Sequence, residues 1–328
     1  MSFYSVCGLN FDSTEPFPEL VPLDKSQISG EHIKLRRVPQ LSEVGAVVRS
    51  AVSWTTPEGG EHLSSTKTEK GYVLRFAQLA DFFINQTSGV ISFCSRPDTP
   101  PDSIRHLFLD GVVPLLLSLG GCGILHASAV LTPYGVGAFL GETGAGKSTL
   151  AGSFQHLGCA IVSDDCLVLD KDEHGFYARP SYPGVRLRED SLSHLAVKGT
   201  ATLSVAHYNS KRRLNSVPFA GQPHPIKAIY CLQRVNQVQR GMPESVVETL
   251  SGHHRLIEVL RYLYCLDPYD PDMLVKQFKL LESLVSVVPV FHLAIPDGFR
   301  HLSRVCENVL AHMREMEQGQ QKGDPLQA

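Results

Sequence analysis

The sequence predicts an α/β protein in which a domain built around a strand, a glycine-rich loop and a helix follows a small β-rich N-terminal domain. Three observations carry this. The apolar run Val136 to Leu140 leads directly into Gly141, and a helical pattern follows from Lys147 to Leu157. Strand and helix patterns then alternate towards the C-terminus, as in α/β domains. Before residue 100, short apolar runs alternate with turn signals instead. The expected division is 1–101 for the β-rich domain, 102–317 for the α/β domain and 318–328 for a disordered tail.

In the first segment, Val47-Val48, Tyr72 to Leu74 and Val90 to Phe93 read as strand fragments. Pro57 to Gly60 and Arg96 to Pro101 read as loops. Asp102 to Leu119 has helical spacing, with a kink or break expected at Pro114. Ile124 to Leu131 reads as a strand that turns at Thr132 to Gly135 and returns as Val136 to Leu140. Leu150, Ala151, Phe154 and Leu157 share a helix face, and Gly158 can end that helix. Cys159 to Val162 reads as a buried strand. Leu167 to Leu169 and Phe176 to Ala178 suggest a hairpin. Strands are expected at Ile226 to Leu232 and Val288 to Leu293. Helices are expected at Arg255 to Tyr264, Met273 to Val285 and Phe299 to Met316.

Composition narrows the function classes. The net charge of -3 makes no case for nucleic acid or an anionic membrane as partner. Leu107 to Leu119, the most apolar stretch, is shorter than the roughly 20 residues a membrane span needs. Met1 to Asn10 lacks the basic and apolar regions of a signal peptide. None of the eight cysteines forms a CxxC pair. They read as reduced thiols, mostly in the core, and the expected location is the cytoplasm.

The chemistry concentrates at Gly141-Glu142-Thr143-Gly144-Ala145-Gly146-Lys147-Ser148, which satisfies the P-loop pattern G-x4-G-K-[ST]. Its glycines let the backbone wrap and turn N–H groups towards phosphate oxygens. Lys147 can reach the β- and γ-phosphates of ATP, and the Ser148 hydroxyl can ligate Mg²⁺. Thr149 extends the nucleotide-binding stretch. A phosphoryl-transfer site also needs a carboxylate near the metal. Asp164-Asp165 ends the strand after the loop helix, so one carboxylate can serve the metal shell while the other accepts a hydroxyl proton. Read by itself, the pair is also an ordinary acidic turn. His126, fifteen residues before Gly141, can orient an acceptor or act as a structural histidine. Arg186 and Arg188 alternate on an apparent strand and would face one side, and Arg186 is a candidate phosphate or acceptor contact. Lys211-Arg212-Arg213 reads as a solvated face, with a phosphate contact or an acidic acceptor as the alternative.

The string formed by His126, Tyr134 to Gly137, Gly141 to Ser148 and Asp164-Asp165 resembles HPr kinase/phosphorylase in residues and separations. That resemblance implies the kinase fold shared with phosphoenolpyruvate carboxykinase. It implies that Asp165 is the base towards a serine hydroxyl, His126 its partner and Asp164 the metal-side carboxylate. The chain departs from the family at Glu142, at Thr149 and at Pro180 to Arg188, where the family's later signature is not recognisable. Tyr4 to Leu20, Leu125 to Ala129, Gly141 to Leu150 and Pro180 to Leu187 are similar to HPr-kinase-like proteins of bacterial peptide-modification gene clusters. Some of those relatives phosphorylate a serine on a lasso-peptide precursor. The expected function is therefore an ATP- and Mg²⁺-dependent kinase acting on a Ser or Thr hydroxyl of a peptide or small protein. A nucleotide-binding regulatory protein with little phosphotransfer and a small-molecule kinase are the alternatives. A homo-oligomer is the other partner expectation, because the HPr enzymes form hexamers, although the N-terminal third does not resemble theirs.

Overall fold

The computed structural model describes residues 1–27, 32–55, 61–195, 201–235 and 246–322. The chain is a mixed α/β protein, with three sheets among the described residues. It divides into two compact units. One comprises Met1–Gly121, Ser204–Ser210 and Cys265–Leu274; the other comprises Cys122–Leu203, Lys211–Tyr264 and Val275–Ala328.

The first unit holds an eight-stranded sheet in the order β1-β2-β3-β8-β7-β6-β5-β4. Its strands are β1 (Ser2–Val6), β2 (Leu9–Ser13), β3 (Ile33–Arg37), β4 (Val47–Thr55), β5 (Glu61–Thr68), β6 (Gly71–Phe76), β7 (Ala80–Asn85) and β8 (Val90–Ser95). The loop expected at Pro57 to Gly60 lies outside the described residues. Residues 101–119 belong to this unit and form α1 (Pro101–Leu107), a π-helical turn at Phe108–Val112 and α2 (Val113–Leu119). Pro114 gives no N–H to the preceding turn, so the helix loosens there.

The second unit is organised by a sheet that is covered on both faces. Its strands are β9 (Gly123–Leu125), β10 (Ala127–Thr132), β11 (Gly135–Leu140), β12 (Ala160–Ser163), β13 (Leu167–Asp172) and β14 (Gly175–Arg179). A short strand, β15 (Val185–Leu187), comes next. It belongs in a small sheet ordered β15-β17-β16 with β16 (Thr202–Ala206) and β17 (Asn209–Leu214), of which residues 204–210 are counted with the first unit. The main sheet resumes with β18 (His224–Val235), β19 (Val246–Thr249) and β20 (Val290–Pro296). The helices are α3 (Lys147–Ser153), α4 (Glu189–Leu195), α5 (His254–Leu260), α6 (Pro271–Val287, of which residues 271–274 are counted with the first unit) and α7 (Leu302–Lys322).

β11 lies between antiparallel β10 and parallel β18, and β18 in turn runs parallel to β20. Alternate residues along these strands enter two different cores. Val130, Phe139 and Tyr230 join Leu150 and Phe154 of the α3 segment and Val305 and Val309 of α7. Ala129, Leu140 and Ile229 join Val259 of α5 and Leu281 and Leu284 of α6. Period-two alternation over a sheet buried on both sides explains why these strands read as continuous apolar runs. A row of rings runs through the first core. Phe139 stacks on Phe154 at 5.4 Å and on Tyr230 at 5.6 Å, and Tyr230 stacks on Phe291 at 5.5 Å.

Several sequence expectations are corrected. The strand expected over 124–131 is two strands that break at His126, because β9 pairs with β13 while β10 pairs with β11 and β12. The helix expected to reach Tyr264 ends at Leu260, and Tyr264 pairs its N–H with the Ile124 carbonyl. The helix expected to end at Met316 runs to Lys322 through Glu, Gln and Lys residues that favour helix, so the disordered tail does not begin at 318. Residues 323–328 lie outside the described residues. Among the described residues no helix is long and apolar enough to cross a membrane.

Phe139 is fully buried at the middle of the ring row. Phe139→Ala is expected to destabilise the protein by about 3–5 kcal/mol, read as a lowered denaturant midpoint.

Candidate functional site

The glycine-rich stretch leaves the C-terminal end of β11 and enters α3, so the strand, loop and helix are contiguous. Gly144 (φ 86°) and Gly146 (φ 98°) adopt left-handed backbone that side chains with a Cβ avoid. Gly141 is needed for a different reason. A Cβ there would sit 3.0 Å from the Ala145 Cβ and 3.3 Å from that of Leu232. The loop closes on itself through Ala145 N–H to the Glu142 carbonyl, 3.0 Å. Two arginines flank it. Arg234 donates to the Ala145 carbonyl at 3.3 Å, and Arg261 pairs with the Glu142 carboxylate at 3.1 Å. Glu142, Thr143 and Gly144 are exposed, while Ala145, Gly146, Ser148 and Thr149 are half-buried.

Lys147 is buried at the start of α3 and uses all three of its donors. They go to the Gly141 carbonyl (2.7 Å), the Glu142 carbonyl (3.2 Å) and Nε2 of His126 (2.9 Å). An ammonium only donates, so Nε2 of His126 is the acceptor and the ring proton is assigned to Nδ1. That atom lies 3.2 Å from the Asp165 carbonyl and 3.5 Å from its carboxylate. His126 owes this position to the β9–β10 break, where its own N–H bonds the Tyr262 carbonyl at 2.7 Å.

The acidic pair sits on a turn after β12. The Ser163 hydroxyl closes the turn onto the Cys166 carbonyl, and Asp165 adopts φ 75°. Aspartate is one of the few residues with a side chain that tolerates this conformation. The two carboxylates do different work. Asp164 is buried and accepts from the Ser128 hydroxyl (2.7 Å) and the Arg186 N–H (2.9 Å). Asp165 is partly open and pairs with the Arg186 guanidinium at 2.9 Å. Arg186 is itself buried, and it also lies 3.7 Å from Asp164 and bonds the Asp164 carbonyl at 3.3 Å. A buried guanidinium flanked by two carboxylates is what such a charge requires.

Protonation follows from these neighbours. Burial lowers the pKa of His126; Asp165 opposes that shift and Lys147 reinforces it. Burial also lowers the pKa of Lys147, against the pull of Asp165 and Asp164. For Asp165, burial alone would raise the pKa. The charges of Arg186, Lys211 and Lys147, with the Nδ1–H of His126 turned towards it, outweigh it and hold the carboxyl well below the usual range.

Lys147, His126, Asp164, Asp165 and Arg186 thus converge. Thr149 does not join them, because its hydroxyl donates to Ser191 on α4 at 3.0 Å. Arg188 is exposed beyond the end of β15, so it does not share the side of Arg186. The solvated face expected for Lys211-Arg212-Arg213 is also corrected. β17 pairs Arg212 and Arg213 with β15, Arg213 opposite Arg186, and Arg213 is buried against Tyr182. Arg212 donates to the Thr202 hydroxyl at 2.7 Å. Sequence reasoning gave no role to Ser128, although its place two residues after His126 on an apolar strand was a usable signal. Nothing local marked Tyr182.

No family model matches the chain, and no curated protein matches it. Among solved structures, the HPr(Ser) kinase/phosphatase from Coxiella burnetii aligns with 62% of this chain and 99% of its own, at 12% identity and a TM-score of 0.35.

Two outcomes are expected. The His126 imidazole should titrate below 6.5 by NMR, and Asp165→Asn should lower it further by removing the carboxylate that opposes the shift. Because the folded-state pKa is depressed, His126 contributes stability that is present above 6.5 and lost as pH falls through the folded value. Asp164→Ala should cost about 3–5 kcal/mol in denaturant unfolding, because it strands buried donors on Ser128 and Arg186.

Proposed function

We propose that the chain is an ATP- and Mg²⁺-dependent kinase that transfers the γ-phosphoryl group to a Ser or Thr hydroxyl of a peptide or small protein. We read its second unit as a kinase domain of the HPr kinase and phosphoenolpyruvate carboxykinase type. The observation that carries the reading is the meeting of the P-loop lysine with His126 and Asp165, joined by the buried Arg186. The spacing of that motif string in the sequence supports it independently. A cytoplasmic location goes with ATP as co-substrate.

In this reading Lys147 leaves the Gly141 and Glu142 carbonyls for the nucleotide phosphates. That frees Nε2 of His126 to orient the acceptor. Asp165 takes the hydroxyl proton. Its carboxyl is held low by the cations around it, and phosphate charge that neutralises Lys147 and Arg186 raises it towards a useful value for a base. Arg186 and Lys147 face charge that develops on the transferring group.

Ser148 and Asp164 are the residues that would hold Mg²⁺. Each Asp164 oxygen has one hydrogen bond and retains a lone pair, so the donor set fits. Among the described residues no cluster of three or more His, Cys, Asp or Glu could hold a metal, and a Mg²⁺ carried on nucleotide phosphates needs only one or two protein ligands. When bound, it would neutralise phosphate charge.

The test is transfer of labelled γ-phosphate to candidate peptides. Asp165→Asn should lower transfer by about 10²–10⁴-fold while nucleotide still binds. Lys147→Ala should weaken both. Unchanged transfer by Asp165→Asn would remove the assigned base.

A further inference from the structure

Burying a guanidinium is costly unless a carboxylate or other anion accompanies it. Arg186 meets that requirement and Arg213 does not. The two stand opposite one another in the antiparallel β15–β17 pair, so their side chains leave the same face of the small sheet. Arg213 is only 3% exposed. Its contacts are with Tyr182, whose hydroxyl accepts from Nη2 at 3.1 Å and whose ring centroid lies 4.5 Å from the guanidinium carbon. Among the described residues, Nη1 is buried with no hydrogen-bond partner. No ion pair joins Arg213 to a carboxylate among those residues.

The local backbone is shaped to keep Arg213 there. Gly184 (φ 103°) sits where a Cβ would come within 3.0 Å of the Arg213 Cγ and 3.1 Å of the Leu214 carbonyl. Lys211, two residues earlier on β17, shares the face by period two. Its charge is felt at both Lys147 and Asp165. Lys147, Arg186 and Lys211 thus act on the site of Asp164 and Asp165, where Glu142 also acts on Lys147, and Arg213 stands opposite Arg186. Two like charges directly opposite across a strand pair destabilise it. An anion between Arg186 and Arg213 would relieve that repulsion and meet the open Nη1 of Arg213.

We propose that Arg213, seated on Tyr182 beside Arg186, is an oxyanion-binding residue that takes a phosphate or carboxylate group of a substrate. The two guanidiniums form a clamp, and a planar fork suits either group. Arg213 turns from Tyr182 to reach it. The inference rests on the kinase reading for the source of the anion, which is the terminal phosphate of the nucleotide or an acidic group on the acceptor.

The experiment compares full-length wild type, Arg213→Met and Arg213→Lys by thermal unfolding and calorimetric titration. In the free protein, Arg213→Met should raise Tm, because it removes a buried charge that has no carboxylate partner among the described residues. Inorganic phosphate, added at constant ionic strength, should stabilise wild type more than Arg213→Met. The difference should persist in a Lys147→Ala background, where the lysine no longer holds phosphate. Arg213→Lys keeps the charge but loses the fork. It should stay folded and bind phosphate several-fold more weakly, which keeps the idea testable if Arg213→Met does not fold.

The nucleotide arm separates the sources. If the terminal phosphate fills the clamp, Arg213→Met should weaken Mg·AMP-PNP about tenfold and leave Mg·ADP near wild type. If the acceptor supplies the anion, both nucleotides should bind as in wild type while the phosphate effect remains. Equal stabilisation of wild type and variants by phosphate, with nucleotide binding unaltered, would overturn the proposal. A protein that binds no nucleotide would instead sink the kinase reading, and the phosphate arm would still decide the role of Arg213.

Discussion

Burying a guanidinium is costly without oxygen partners, and that constraint ties together the catalytic-looking parts around Arg186. Arg186 reaches both members of the acidic pair, and its backbone N–H meets Asp164 as well. The contact joins the turn after β12 to β15. β15 in turn packs against α3, where a Cβ added at Gly152 would lie 3.5 Å from Val185. The loop helix, the acidic turn and the small sheet therefore hold one another in place. Removing any one partner would leave a buried polar group unmatched.

The two aspartates show how one local sequence can supply two different groups. Asp164 turns inward and accepts from Ser128 and Arg186, which fixes its carboxylate between two strands. Asp165 is displaced by its left-handed backbone and faces His126 and the Arg186 guanidinium. Position alone does not produce this difference. It comes from a turn closed by Ser163 and from neighbours on other strands. The same surroundings make Asp165 strongly acidic and His126 weakly basic, so the pair stays charged on the carboxylate and neutral on the ring.

Much of the second unit was legible in the residues. The run into Gly141, the helix face of Leu150, Ala151 and Phe154, and the hairpin around Asp172 all follow local rules of period and turn chemistry. The break at His126 was not legible. An apolar run looks the same whether it pairs along its length or changes partners midway, and the change is dictated by β13 and β12 on different sides. The end of α7 was misjudged because a polar helix and a polar tail share composition.

By itself, the sequence determined the strand–loop–helix unit, the places where only glycine fits, and the spacing of lysine, histidine and aspartates along the chain. Those depend on backbone sterics and on residues a few positions apart. Only the tertiary structure decided which cations meet those carboxylates. Arg186 lies 22 residues from Asp164, and Arg213 reaches the same face because β17 pairs with β15. A basic run reads as a solvated surface until a partner strand buries it. Burial is what turns a charge from a solubility feature into a demand for an anion, and it belongs to the fold rather than to any short stretch of residues.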